Sequence, residues 1–450
     1  MTTATRETDA YSALFAARRP AGPAWLDSLR REAIARFEEL GFPTTEDEEW
    51  RHTSVLPIRE TRFEPGGYDP AAVDMAAAEH LTFGGIPHHR LVFVNGHFSR
   101  ELSQVGPLPQ GVRIESLADA LDAEPALLEP HLGRVAGFHQ HSFAALNTAL
   151  FQDGALVLLP RGAVVREPIH LLHVAVPGGA PVMAHPRALL LAGEASEATI
   201  VESYVGLGAG VCWTNAVTEA WIGETAVIDH CKVQRENLSA FHTAVLEARL
   251  ERSSVFTTHA ISVGADLMRN DINAWLGGEG CEATLNGVYM AAGRQHMDTH
   301  TRIDHAMPHC PSHEVYRGIL DGRARGVFNG RIHVHPGAQK TDAKQTNQNL
   351  LLSDDAQVIT KPQLEIYADD VRCTHGATVG QLSADAIFYL RSRGIGLEEA
   401  RSLLTYAFAS DIVERIKVEP LRKNLESAIF ALRGGAEEMP VLADAAQDFE

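Results

Sequence analysis

The sequence contains no Cys-x-x-Cys pair, and its five cysteines stand singly at positions 212, 231, 281, 310 and 373. An odd, dispersed set of cysteines is not typical of a disulfide framework, and its spacing is not that of a zinc finger. A metal site built only from these thiols is therefore not expected. If the chain binds metal, we expect another chain to supply the remaining ligands.

Positive charge and long apolar runs are also scarce. The 58 acidic and 39 basic residues give a formal net charge of −19, whereas nucleic acids and anionic membranes are bound by clustered cations. The N-terminus lacks the apolar core of a signal peptide, and no stretch of about 18 uncharged apolar residues could span a bilayer. We therefore expect a cytoplasmic protein that binds neither nucleic acid nor membrane.

Motifs for nucleotide binding and serine hydrolysis are missing. Residues 337–341, Gly-Ala-Gln-Lys-Thr, end like a phosphate-binding loop, but Gln339 replaces the required glycine. The glycines at 206, 208 and 210 approach a dinucleotide fingerprint, whose last glycine is replaced by Val211. No Gly-x-Ser-x-Gly turn is present. The chain itself is thus not expected to be an ATPase, a dehydrogenase or a serine hydrolase.

Short β-strands dominate the pattern from about residue 143. No proline occurs between positions 187 and 307, and residues 243–251 alternate, with Ala244, Leu246, Ala248 and Leu250 on one face. A sandwich pair, a large barrel or a β-solenoid would all explain many short strands. The solenoid is favoured because the run is too long for one sandwich and shows no second domain boundary. No exact repeat is visible, so the alternatives stay open on this pattern alone.

Helical patterns lie on both sides of the β region. Apolar residues recur at helical spacing from Trp25 to Leu40, where Gly41 follows, and a short helical insert is predicted near 117–132. Beyond residue 382 the chain is predicted to be helical, with an amphipathic helix over 397–412 placed beyond the strands and an acidic tail from 434. The predicted division is 1–85, 86–382 and 383–450.

Cys373 and His375 are the first candidate ligands. Alternate side chains of a strand share a face, which places these two beside each other, roughly 6.5–7 Å apart at the backbone. A thiolate beside an imidazole suits zinc, copper or iron–sulfur chemistry. Simple packing inside the protein is the competing interpretation, and the pair alone favours it.

The region 295–313 is rich in histidine and carries further candidates. One strand face would hold His296, Asp298, His300, Arg302 and Asp304, for which a hydrogen-bonded polar surface is preferred over a metal site. His333 and His335 flank Val334 and are either ligands or exposed strand residues. A third group comprises His309, Cys310 and His313, which Pro308 and Pro311 would place in a turn.

Several segments resemble the SufB/SufD family of iron–sulfur cluster assembly proteins. The similarity is dense from about 295 to 412, and weaker at 49–53 and 146–154. Its most specific segments are 337–343, 347–353, 361–366, 369–382 and 387–395. Within the family the chain is closer to the SufD branch. SufB members typically have His-Glu-Ala where this chain has His375-Gly376-Ala377, and a cysteine at the position of Leu390.

The resemblance implies a mainly β fold, a right-handed parallel β-helix flanked by N-terminal and C-terminal helical domains. It implies a non-catalytic scaffold subunit that pairs with SufB through the β-helix. Cys373 and His375 would then be candidate ligands of a transient iron–sulfur cluster at the SufB interface. The resemblance also implies that reduced flavin is associated with the complex, but the sequence of this chain shows no recognisable flavin-binding motif.

The resemblance also implies that SufC, an ATPase of the ABC type, binds the C-terminal helical domain. The helix over 397–412 is the candidate docking element, through Leu397, Leu404, Tyr406 and Phe408. Two alternatives of other classes remain open on the sequence alone. One is a carbohydrate-active β-helix enzyme, because such solenoids often carry acidic clusters, and the other is a purely structural solenoid.

Overall fold

A computed structural model describes residues 3–17, 22–82 and 86–431, so the predicted acidic tail lies outside the described residues. The helices are α1 (Thr3–Ala17), α2 (Ala24–Leu40), α3 (Leu56–Glu60), α4 (Met75–His80), α5 (Leu117–Ala123), α6 (Pro125–Leu128), α7 (Ser142–Leu150), α8 (Ala384–Ser392), α9 (Leu397–Val413) and α10 (Glu419–Ala431). None of the helices in these ranges is both long and apolar enough to cross a membrane.

The strands occupy most of the chain between the two helical regions. They are β1 (Glu64–Pro65), β2 (His89–Val94), β3 (His97–Gln104), β4 (Arg113–Ser116), β5 (Gly154–Leu159), β6 (Ile169–Ala175), β7 (Val182–Ala184), β8 (Arg187–Ala192), β9 (Glu197–Gly206), β10 (Cys212–Ile222), β11 (Val227–Arg235), β12 (Phe241–Leu250), β13 (Val255–Ser262), β14 (Leu267–Leu276), β15 (Glu282–Ala291), β16 (His296–His305), β17 (Pro311–Leu320), β18 (Arg325–Val334), β19 (Asp342–Leu351), β20 (Gln357–Ile366) and β21 (Arg372–Gly380).

From β8 onward, successive strands alternate between two sheets. Sheet A runs in the order β4, β5, β8, β10, β12, β14, β16, β18, β20, and sheet B in the order β3, β2, β6, β9, β11, β13, β15, β17, β19, β21. The strands within each sheet pair in parallel, except for the antiparallel pairs β2–β3 and β4–β5. Each turn of the chain thus adds one strand to each sheet. The result is a parallel β-solenoid of about eight turns, which confirms the predicted class.

A structural repeat exists even though the sequence shows no period. Val245 pairs with Asp271, 26 residues later, whereas Arg325 pairs with Gln357, 32 residues later. The chain enters most strands of sheet B through the same corner, a residue of positive φ whose N–H donates to the carbonyl one turn further on. These corner residues are Ala195, Thr225, Ser253, Gly280, His309 and Lys340. Because only one of them is glycine, the corner leaves no repeated sequence signal.

The interior of the solenoid is divided into an apolar and a polar half. Leu246, Ala248 and Leu250 of β12 lie in a large apolar cluster, which confirms the predicted inward face of that strand. Elsewhere the lumen holds buried charge. The Nζ of Lys232 donates to Asn270 at 2.6 Å, and His242 lies 2.8 Å from the carboxylate of Glu236. These four side chains thereby gain partners that offset their desolvation.

The N-terminal helices cover the outer face of sheet A. The predicted helix from Trp25 to Leu40 is confirmed by α2, whose end at Gly41 has a φ of 68°. Trp213 of β10 is fully buried beneath this layer. A buried ion pair joins Arg187 of β8 to Glu219 of β10. Glu219 also accepts hydrogen bonds from the backbone N–H groups of residues 133, 135 and 136, and these bonds connect the covering layer to sheet A.

The C-terminal helices cover the outer face of sheet B. The prediction that α9 lies beyond the solenoid was wrong, because α9 packs on β15 and β17. The physical reason is an apolar outer surface on sheet B that must be shielded from water. Val233, Ile261 and Val288 on that surface form one cluster with Ile412 and Leu425 of the helices.

Candidate functional site

Cys373 and His375 lie on β21, the last strand of sheet B. The register pairs them with Ala343 and Gln345 of β19, both of which are buried in the solenoid. The two candidate ligands therefore occupy the inward-facing columns, as the alternation predicted. In the described part of the chain no further strand stacks on β21. His375 is consequently exposed and Cys373 only half-buried, although their counterparts one turn earlier are enclosed.

The Cys373 thiol rests against a small apolar cluster that includes Ile332, Val334 and Ala343. Burial raises the pKa of this thiol, with a smaller contribution from the carboxylate of Asp342. The free thiol is therefore protonated at neutral pH, and it would release its proton on binding a metal. Without a metal ion this thiol is protonated and therefore not a reactive thiolate. It would become a thiolate ligand only when a metal ion binds.

The end of the solenoid presents an open edge with apolar side chains. β20 and β21 each have a strand partner on one side only among the described residues. Ile366, Tyr367 and Val379 at this end are 40%, 60% and 49% exposed. Unpaired backbone groups on parallel strands can pair with the strands of another chain. We call this surface, defined by β20 and β21, the open edge.

The predicted docking residues of α9 are not equally accessible. Leu397 is 41% exposed at the start of the helix, but Leu404, Tyr406 and Phe408 are half-buried. The ring and the carbonyl oxygen of Phe408 both contact the guanidinium of Arg317 in the solenoid. Part of the predicted docking face therefore packs against the solenoid of this same chain.

A more exposed apolar surface lies on α8. Phe388 and Tyr389 are 74% and 55% exposed, and the guanidinium of Arg393 lies 4.3 Å from the centre of the Tyr389 ring. The sequence pattern did not single out these residues. Adjacent residues of a helix point about 100° apart, so two large aromatic side chains side by side in a helix of nine residues are the signal that could have identified this surface.

The histidine-rich strand β16 packs against the N-terminal segment. Asp298 accepts hydrogen bonds from Thr53 and Arg269, and lies 3.2 Å from His300. Burial alone would raise the pKa of Asp298, but Arg269 and His300 hold it well below its usual range. Burial opposes the charged form of His300, yet Asp298 and Glu49 raise its pKa. Asp298 and His300 are thus part of a hydrogen-bonded polar surface, as predicted for this part of the face.

The predicted trio of His309, Cys310 and His313 is not brought together. Cys310 is buried in the solenoid core, while the two histidines are exposed. The sulfur atom of Cys310 instead lies 3.7 Å from that of Cys281, one turn away. The spacing of the cysteines along the sequence could not predict this thiol pair. The two thiols lie side by side only because of the register in which β15 and β17 pair. His333 and His335 do meet a carboxylate, that of Asp304.

Two family models together match nearly the whole described chain. The model of the SufBD protein N-terminal region matches residues 5–171, and the SUF system FeS cluster assembly, SufBD core domain, matches residues 175–408. The chain belongs to the SufBD family. The core-domain match spans the solenoid strands from β7 to β21 together with α8 and most of α9, so it includes Cys373, His375 and the open edge.

Curated relatives agree with this SufBD assignment. An iron–sulfur cluster assembly SufBD family protein of Synechocystis is 34% identical over 412 residues, 90% of each chain. The iron–sulfur cluster assembly protein SufD of Escherichia coli is 32% identical over 414 residues, 90% of this chain and 93% of the relative. SufD of Bacillus subtilis is 26% identical over 426 residues, 90% of this chain and 94% of the relative. This SufBD-family chain is thus a SufD homologue, which argues against the carbohydrate-active alternative.

Proposed function

We propose that this chain is the non-catalytic, SufD-type scaffold subunit of an iron–sulfur cluster assembly complex. It pairs with a SufB-type subunit through the open edge and binds a SufC-type ATPase through its C-terminal helices. One observation carries the proposal: the last turn of the solenoid displays Cys373 and His375 on inward-facing columns that no further strand of the described chain encloses.

Pairing through the open edge follows from the hydrogen-bonding needs of β20 and β21. The terminal turn of a second solenoid would continue both sheets and satisfy their unpaired N–H and C=O groups. It would also cover Ile366 and Val379, which are apolar and exposed. The candidate ligands would then lie between two solenoids, in a setting drier than open water.

The cluster is the cargo of this complex and would be shared between chains. A cluster normally has about four protein ligands, whereas β21 offers one thiol and one imidazole. The other four cysteines are buried, and burial raises the pKa of Cys212 to about 12. A SufB-type partner would therefore supply the remaining ligands. The proposal assigns no residue of this chain to reduced flavin.

We propose the cytoplasm as the site of action. The described cysteines are all free thiols, and Cys281 and Cys310 remain so with their sulfur atoms 3.7 Å apart. Five dispersed cysteines without a disulfide framework are compatible with a reducing compartment.

A charge on the inward face of β21 should prevent pairing. In the Val379→Asp variant a carboxylate would be trapped between two stacked turns, where desolvation is costly. We expect the yield of complex with a tagged SufB-type protein to fall at least about tenfold, as 1.4 kcal/mol already produces that factor. Size-exclusion chromatography with light scattering measures the yield.

Thr378→Asp is the matched control, because Thr378 is the neighbouring exposed residue on the opposite face of β21. It adds the same charge to the same strand but points it out of the solenoid rather than into its interior, so pairing should persist. Normal pairing of Val379→Asp would mean that the open edge is not the SufB-type interface.

The ATPase partner should depend on the exposed aromatic surface of α8. We expect Phe388→Ser/Tyr389→Ser to abolish retention of a SufC-type ATPase in co-purification while leaving pairing with the SufB-type subunit intact. Point changes are preferable to removing residues 384–450, because that deletion would also uncover the apolar outer face of sheet B.

Leu238→Ser controls for general loss of exposed apolar surface, since Leu238 is 42% exposed on a loop away from α8. Its ATPase binding should equal that of the unaltered chain. If the double serine variant retains the ATPase, docking must use the remaining surface of α9 and the assignment to α8 is wrong.

A further inference from the structure

A second group of metal-binding side chains lies on the outer face of sheet A. It consists of Asp304 on β16, His333 on β18 and His335 just after β18, and their potential ligand atoms lie within 4.8 Å of one another. We propose that these three residues bind a divalent first-row transition-metal ion. None of them belongs to the pair on β21, so the proposal stands independently of the scaffold function.

Two of the three ligand separations already fit a bound metal ion. Nδ1 of His333 lies 2.9 Å and Nε2 of His335 lies 3.6 Å from the same oxygen, Oδ1 of Asp304. Ligand atoms that each lie about 2.1 Å from one ion can be at most about 4.2 Å apart, and are closer in tetrahedral or octahedral geometry. Both measured separations fall within that limit.

The backbone fixes the three residues before any ion arrives. Asp304 and His333 are directly paired in the register of β16 and β18, and the N–H of His335 donates to the carbonyl of His305. Arg302 contacts both carboxylate oxygens of Asp304, at 2.6 and 3.0 Å. Such a contact orients the carboxylate, as neighbouring groups commonly do for metal ligands.

One nitrogen of the group lacks a hydrogen bond. Nε2 of His335 is inaccessible to water and has no hydrogen-bond partner among the described residues, since the 3.6 Å separation from Asp304 is too long for a good bond. A purely structural Asp304–His333 pair would not require this third nitrogen. An ion would satisfy it and complete the group.

The surroundings indicate the class of ion. The Trp275 ring packs edge-on against His335 at 5.3 Å, and Tyr367 packs against His333 at 5.6 Å, so aromatic walls shield the imidazoles. Two imidazoles and one carboxylate suit zinc, ferrous iron, cobalt or nickel, whereas calcium and magnesium prefer oxygen ligands. Three protein ligands also leave coordination positions for water or a small ligand.

The test is a titration of the chelator-treated full chain with Co²⁺, followed by visible absorbance and by competition with Zn²⁺. We expect one equivalent of Co²⁺ to bind, Zn²⁺ to displace it and Mg²⁺ not to. His335→Gln and His333→Asn should each weaken binding at least about tenfold. His335→Gln removes a nitrogen without a hydrogen bond, so its fold and thermal midpoint should be retained.

Two controls separate this site from other ligands of the chain. His309→Asn removes an exposed histidine and should bind Co²⁺ as the unaltered chain does. Cys373→Ala/His375→Ala should also bind normally, which distinguishes the result from failure of the scaffold proposal. Absence of saturable Co²⁺ binding, equal binding by the His333 and His335 variants, or loss of binding in the Cys373/His375 variant would each overturn the proposal.

Discussion

The Cys373→Ala/His375→Ala variant should assemble with its SufB-type and SufC-type partners and yet mature few iron–sulfur clusters. Two small substitutions on β21 leave the strand edge and its apolar neighbours in place, so the interface persists. The cluster loses half of the roughly four ligands it requires. We expect the rate of cluster formation to fall at least about tenfold. Even mutation of residues that only hydrogen-bond to metal ligands lowers metal affinity or activity about 10-fold to 100-fold.

The measurement is charge-transfer absorbance during anaerobic reconstitution of the three-protein complex. Arg372→Ala/Thr374→Ala is the matched control, because both residues flank the candidate ligands on the opposite face of the same strand and are exposed. That control should mature clusters normally. If the Cys373/His375 variant does so too, the pair only packs against its neighbours, and the simplest interpretation of the sequence is correct.

Local rules predicted the parts of this structure that depend on neighbouring residues. The alternation of a strand placed Cys373 and His375 on one face, and the register confirms their shared inward orientation. Helical spacing followed by Gly41 predicted α2 and its end. Each of these features is decided within about one turn of helix or one strand, so no knowledge of distant contacts was needed.

Features that depend on stacking between turns could not be predicted. The corner before most sheet B strands is a backbone conformation that His309 and Lys340 adopt here as Gly280 does, so the repeat has no sequence signature. Cys281 meets Cys310 only through the register of successive turns. Glu219 lies on the outer face of β10 and is nevertheless fully buried, because residues 133–136 from a distant part of the chain cover it.

The second large effect that we expect is a loss of stability in mild acid. Four buried histidines have strongly lowered pKa values, and burial is the main cause in each. These pKa values are about 4 for His173, about 3 for His185, about 4 for His259 and about 4 for His305. In the unfolded chain a histidine has a pKa of about 6.5. Between about pH 4 and 6.5 the unfolded chain therefore binds more protons, and stability falls as the pH falls.

Other groups act in the opposite direction within this window. Burial raises the pKa of Glu247 to about 8 and that of Glu314 to about 7, so these carboxyls are protonated in the folded chain and ionised in the unfolded one. Their contribution to stability grows as the pH falls, as does that of His300, whose pKa is raised. Each group whose pKa is fully shifted changes the free energy of unfolding by about 2 kcal/mol between pH 6.5 and 5. Since further histidines, including His170, add to the four, a net loss on the order of 4 kcal/mol is expected.

Urea denaturation at pH 7.5, 6.5, 5.5 and 5.0 measures this loss, and unfolding at pH 5.5 should take up protons from the solution. His185→Asn removes one buried histidine, whose Nδ1 accepts from Asn215 at 3.2 Å, and should make the loss between pH 6.5 and 5 smaller by about 2 kcal/mol. His313→Asn removes an exposed histidine and should leave the pH dependence unchanged. A free energy of unfolding that stays constant down to pH 5, with no proton uptake, would show that the buried histidines do not govern acid stability.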